Sequence, residues 1–178
     1  MPRIDKRKSY HLREVRIIKD FMPNAAGSCL IEFGRTRVLC TATVQNSAPS
    51  YVPEGTGWLT AEYSMLPGST TTRKQRERNK YDGRSIEIGR LIGRSLRSIM
   101  DFTAIPDLTI TIDCDVIQAD GGTRCASITG GFVALALACQ KLVDEGLIEK
   151  IPLHRYISAV SVGVVDGVAM ADLCYEED

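Results

Sequence analysis

Residues 115 to 131 read DVIQADGGTRCASITGG, an apolar run that ends at Asp120, breaks on Gly121 and Gly122, and passes over Thr123 and Arg124 into a helix-like stretch. A strand that runs through glycines into a helix presents free backbone N–H groups and the positive end of the helix macrodipole, and together these bind anions. The glycines let an anion approach the backbone, the Thr123 hydroxyl can donate, and the Arg124 guanidinium matches phosphate through two parallel hydrogen bonds. Neither the GxxxxGK[ST] loop nor the dinucleotide fingerprint is present, so no nucleotide motif applies. Taken alone, GGTR is more simply a tight turn with a surface arginine.

A second corner of the same kind lies at DGRSIEIGR, where Gly83 precedes Arg84 at a helix start. Two such corners can converge on one phosphate. The plain alternative is an ordinary first-turn arginine, set unfavourably against the helix dipole. Arg73, Lys74, Arg76, Arg78 and Lys80 form a basic loop suited to a nucleic-acid backbone, or equally a solvated charge run. Tyr81 is its only aromatic, so base stacking is not signalled. Asp172, Glu176, Glu177 and Asp178 follow a strand; grouped carboxylates of this kind ligate Mg²⁺, although surface acids at a chain end are commoner. With only His11 and His154, a His-rich zinc site or a Ser-His-Asp triad has few candidates.

The elements that must position these residues follow from periodicity. Ser28 to Gly34 and Thr36 to Val44 are strand-like runs separated by a short turn, a predicted hairpin. Trp58 to Leu66 alternates as a further strand, and the polar, basic stretch after it is a long loop. Ile88, Leu91, Ile92, Leu96 and Ile99 recur at helical spacing between Ser85 and Met100, and Arg90, Arg94 and Arg97 form a stripe read as a solvated or subunit-facing surface. Leu108 to Gln118 alternates, with Asp113 and Asp115 on the face away from the core. Ala126 to Val143, rich in alanine and glycine, predicts a helix buried close to a sheet, with Gly146 as its stop. Asp166-Gly167 predicts a closing hairpin. The sum is a single α+β domain over residues 1–178.

Composition supports a globular chain: 178 residues, 44% of them hydrophobic, suffice for a sizeable core. No apolar stretch is read as reaching the ~20 residues of a bilayer span, and the N-terminus lacks the apolar region of a signal peptide, which predicts no membrane partner and a cytoplasmic address. The six cysteines form no CxxC pair and read as small core residues. Net charge is zero, yet residues 1–100 carry +9 and residues 101–178 carry −9. One half can attract polyanions and the other hold cations, or solvated faces simply segregate by sequence.

Together GWLTAEYSMLP (57–67), GRSIEIGRLIGRSLR (83–97), TIDCDVIQADGGTR with ASITG (111–130), ISAVSVG (157–163) and DLCYEED (172–178) resemble, in order and spacing, the ribonuclease PH family of phosphate-dependent 3′-exoribonucleases that trim tRNA precursors. The resemblance implies the family's βαβ-rich fold, like domain 2 of a ribosomal protein. It implies that Arg84, Gly122, Thr123 and Arg124 hold the attacking inorganic phosphate, that Arg84, Arg124 and Asp178 are catalytic, that Arg73 and Arg76 contact tRNA, and that Asp178 binds Mg²⁺. It also implies tRNA 3′ ends and other RNA as substrates, nucleoside diphosphates as products, and a homohexameric ring built as a trimer of dimers. Gly68, Cys125, Gly131 and Cys174 depart from the family pattern. A second acidic residue, a strand and a closing helix are expected beyond Asp178, so residues 1–178 alone are expected to turn over poorly. The rival expectation is an inactive fragment or a non-catalytic RNA-binding ring subunit.

Overall fold

The computed structural model describes residues 3–76 and 82–178. Among them, five strands form one sheet in the order β1-β2-β3-β5-β4: β1 (Val15–Lys19), β2 (Gly27–Phe33), β3 (Thr36–Gln45), β4 (Trp58–Met65) and β5 (Thr109–Gln118). β4 and β5 are parallel and joined through α1 (Gly83–Arg97), a βαβ unit, whereas every other neighbouring pair is antiparallel. α2 (Thr123–Asp144) follows β5 directly, and β6 (Val162–Val165) with β7 (Val168–Ala171) makes a separate hairpin. The fold is a single α+β domain with a mixed sheet and two helices.

The β2–β3 hairpin turns on Gly34 at φ +55°, in the left-handed region that glycine reaches without cost. β1 is an edge strand absent from the sequence expectation. Its VRIIK side chains are largely exposed, with charges on either side, so neither the alternation of a half-buried strand nor an apolar run marks it.

Both helices lie on one face of the sheet, over a core containing Ile31, Val38, Ile110, Ile112, Leu59, Ile92 and Leu135. α2 sits close because its small residues permit it: a Cβ on Gly130 would come within 2.7 Å of Cys40 Sγ and of Ile31 Cγ2, and one on Gly27 within 2.2 Å of the Ala134 carbonyl. At 22 residues, α2 is long and apolar enough to cross a bilayer, contrary to the sequence expectation that no stretch reaches that length. Its buried side chains are spent instead on the sheet, the role of a core helix. Cys29, Cys40 and Cys114 stand side by side on β2, β3 and β5 beneath it, all free thiols.

The other face of the sheet carries Asp113 and Asp115, beside Glu62 on β4. Burial first, and the neighbouring Glu62 charge second, push both aspartates up from their ordinary values. The arginine stripe of α1 is not uniformly solvated. Arg90 and Arg94 are exposed, but Arg97 donates to the Leu59 carbonyl at 3.1 Å and lies 5.0 Å over the Trp58 ring, closing the edge of β4.

Candidate functional site

The two glycine corners meet. α1 begins at Gly83 with Asp82 as its cap, whose carboxylate accepts from the Arg84 N–H at 3.2 Å and pairs with Lys74 Nζ at 3.2 Å. That acidic cap offsets the unfavourable position of Arg84 in the first turn. α2 begins at Thr123, with Gly122 at the cap position and no side-chain hydrogen bond to close it. The first N–H groups of α2 therefore face outward without an intrahelical acceptor.

Tyr63, from β4, connects the corners. Its buried hydroxyl shares a 2.9 Å hydrogen bond with Thr123 Oγ1. Burial pushes the Tyr63 hydroxyl up, while the bond to Thr123 and the charges of Arg84 and Arg124 draw it back down. Both guanidinium groups are thus felt at one point. Arg124 reaches across to α1, where its Nη2 donates to Glu87 Oε2 at 2.6 Å. Its Nε is buried and has no hydrogen-bond acceptor among the described residues. A buried guanidinium N–H without an acceptor fits an oxyanion, because leaving such a donor unpaired costs about 1–3 kcal/mol. Arg84, Gly122, Thr123 and Arg124 are brought together; Tyr63 and Glu87, which join them, went unnoticed in the sequence, although both lie inside the stretches that carry the resemblance.

The glycines have another reason than anion access. Gly121 and Gly122 adopt φ +73° and +70°, and a Cβ on Gly121 would fall 2.6 Å from the Leu173 carbonyl and 2.9 Å from the Tyr175 nitrogen. The corner is a seat for the C-terminal turn. Arg13, just before β1, holds it from beneath by donating to the Asp120 and Gly121 carbonyls. Thr36 donates to the Gly121 carbonyl at 2.6 Å and accepts from the Asp120 N–H at 2.9 Å. The Arg13 and Thr36 bonds fix both carbonyls of the turn and so hold the start of α2 in place.

The acidic end reads differently in three dimensions. Asp172 is buried, its Oδ1 and Oδ2 gripped by Arg13 Nη2 at 2.7 Å and Nε at 3.0 Å, with Arg7 at 3.4 Å. Burial alone would raise its carboxyl; the Arg13 hydrogen bonds and the Arg13 and Arg7 charges outweigh that and hold it low. Glu177 is clamped by Arg3 at 2.9 and 2.6 Å, and chiefly this bond holds its carboxyl down at about 2. Neither is a surface acid or an available metal ligand. Asp178 is exposed and pairs with no described residue. Among the described residues no group of three metal-ligating side chains occurs; Glu176 and Asp178 are the exposed carboxylates of the acidic run, and Asp178 is the one that the family resemblance assigns to Mg²⁺, a metal that one carboxylate can hold together with substrate phosphates.

The basic loop leaves from the same end. Leu66 N–H donates to the Val116 carbonyl at 3.0 Å and Ala119 N–H to the Ser69 carbonyl at 2.8 Å, tying residues 66–69 to the exit of β5. Arg73 and Arg76 are exposed beyond it, and Lys74 returns the loop to Asp82. Arg78, Lys80 and Tyr81 lie outside the described residues.

Residues 11–141 match the profile of the 3′ exoribonuclease family, domain 1. Among solved structures, the chain is similar to Rrp46 of rice (Oryza sativa), with 21% identity and a TM-score of 0.80, covering 98% of this chain and 75% of that one. It is likewise similar to a chain of the Archaeoglobus fulgidus exosome with RNA bound to the active site, with 24% identity and a TM-score of 0.82 over 98% and 72% of the two chains. An archaeal exosome core gives 21% identity and a TM-score of 0.78 over 98% and 69%. At these identities the structural likeness establishes the fold.

Proposed function

The chain belongs to the 3′ exoribonuclease family, and from that premise we propose that it removes 3′-terminal nucleotides from tRNA precursors by phosphorolysis. The observation that carries the reading is the convergence of Arg84, Thr123, Arg124 and an uncapped helix start on one place, with the Arg124 Nε lacking an acceptor. In this reading hydrogen phosphate lies against the α2 N–H groups and the Thr123 hydroxyl, between the two guanidinium groups. One of its oxygens attacks the last phosphodiester phosphorus, and the bond to the 3′ oxygen of the preceding nucleotide breaks. The proton that the phosphate carried ends on that oxygen, giving a nucleoside diphosphate and a shortened RNA. No protein nucleophile is required; the arginines stabilise charge on the transferring phosphoryl group, and positioning supplies much of the remaining rate. Mg²⁺, held by Asp178, would add neutralisation of phosphate oxygens when bound.

Arg73 and Arg76 are proposed to hold the tRNA body, and a cytoplasmic homohexameric ring is part of the same proposal. The likeness to exosome structures, one of them with RNA bound to its active site, supports an RNA substrate and assembly with like-folded chains. A second reading, an RNA-binding ring subunit without its own catalysis, is favoured by the loss of Asp172 and Glu177 to arginine pairs, which leaves few free carboxylates at the site.

The test is release of nucleoside diphosphate from a tRNA with extra 3′ residues, with and without inorganic phosphate. Phosphate-dependent release is expected, and RNA binding without it would establish the second reading. Arg124→Ala is expected to raise the phosphate KM by about ten- to a hundredfold, the worth of a charge-assisted hydrogen bond or two. An unchanged phosphate dependence would remove Arg124 from the site.

A further inference from the structure

We propose that Glu87 is the residue by which the site selects a protonated oxyanion, hydrogen phosphate, over a fully deprotonated one such as sulfate. The inference rests on the phosphate reading above and assigns one of its specificity determinants. A carboxylate inside an anion site is a contradiction unless the anion brings a hydrogen-bond donor. Glu87 places one there: its Oε2 takes Arg124 Nη2 at 2.6 Å, while its other oxygen accepts from no described residue. The buried Arg124 Nε, without an acceptor among the described residues, belongs to the same planar guanidinium. Nε and Nη2 are attached to one carbon, so an oxyanion that accepts from Nε comes to lie beside the Glu87 carboxylate.

Sulfate near neutral pH has only acceptor oxygens, and its nearest oxygen would meet the carboxylate with like charge and no shared proton. Hydrogen phosphate has one P–O–H group, which can donate to Glu87 while the unprotonated oxygens take Arg124 Nε, Thr123 and the helix N–H groups. The same contact fixes which oxygen carries the proton. It also explains why a 2.6 Å pair is retained between two partly exposed side chains, where an ordinary surface ion pair contributes little to stability.

The experiment measures binding of inorganic phosphate, arsenate and sulfate to the full chain by calorimetry at pH 7.5, for the unchanged protein, Glu87→Gln and Arg124→Ala. Arsenate carries a proton as phosphate does, and Gln keeps an acceptor for Arg124 while adding an amide that donates to either anion. Phosphate and arsenate are expected to bind about tenfold or more tighter than sulfate, the discrimination of one charge-assisted hydrogen bond against a repulsion. In Glu87→Gln the gap is expected to close to about two- to threefold, mainly through tighter sulfate. An unchanged phosphate-to-sulfate ratio in Glu87→Gln, with Arg124→Ala still weakening both anions, would overturn the role of Glu87 and leave the phosphate site standing. Equal binding of all three anions by the unchanged protein would also overturn it. If Arg124→Ala leaves binding unaltered, or no anion binds, the phosphate reading itself fails and this inference with it.

Discussion

Glu177 shows how a residue at the end of the chain becomes part of its interior. Its carboxylate is only 5% exposed and accepts two bonds from Arg3, which hold its pKa at about 2, well below the ordinary glutamate value. A carboxyl depressed by folding contributes stability that is complete above its unfolded pKa and is lost as pH falls through the folded one. The contribution of Glu177 is therefore present above about pH 4.5 and disappears between there and about pH 2. Thermal melts as a function of pH are expected to show a steep loss over that window, and Glu177→Gln to lower the melting temperature at neutral pH while flattening the loss. An acid limb as steep in Glu177→Gln as in the unchanged protein would assign the effect to another carboxylate.

At the scale of elements, the site depends on how closely α2 lies on the sheet, because the α2 N-terminus carries Thr123 and Arg124. Gly27 is the tightest point, where an added Cβ would overlap backbone atoms of Ala134 and Ala138 at 2.2 and 2.5 Å, and backbone cannot rotate away. Gly27→Ala is expected to cost about 2 kcal/mol or more in urea unfolding, the upper part of the overpacking range, and to weaken phosphate binding by shifting the helix. Gly68→Ala, with open space around it and no left-handed backbone, is expected to change stability by under about 0.5 kcal/mol. Equal stability of the two variants would show that α2 can back off the sheet freely.

At the scale of the molecule, the opposed charges of the two halves of the chain meet in the fold. Arg3 and Arg13 bind Glu177 and Asp172, so part of the segregation is spent internally. Arg73 and Arg76 stay exposed. If they hold the tRNA body, Arg73→Ala with Arg76→Ala is expected to weaken tRNA binding and to reduce the slope of log affinity against log salt by about 0.7–0.9 per lost phosphate contact. Turnover of short oligonucleotides is expected to be nearly unchanged. Equal loss on both substrates would assign the arginines to the active centre instead of a distal contact.

The sequence by itself determined what is local. The β2–β3 hairpin about Gly34, the periodic faces of α1 and β5, the Asp166-Gly167 turn and the helix start at Gly-Gly-Thr-Arg all follow from spacings of a few residues, where backbone geometry is set by immediate neighbours. Tertiary structure decided what those spacings cannot contain. The arginine partners of Asp172 and Glu177 lie 159 and 174 residues away, the Tyr63–Thr123 bond spans 60 residues and the Arg124–Glu87 pair 37. The run of acids near the end thus looked like one metal-binding group, yet two of its members neutralise buried arginines. A carboxylate and an arginine carry no sign of their partner in one dimension; burial and distance, which fix their charge and their use, exist only once the chain has closed.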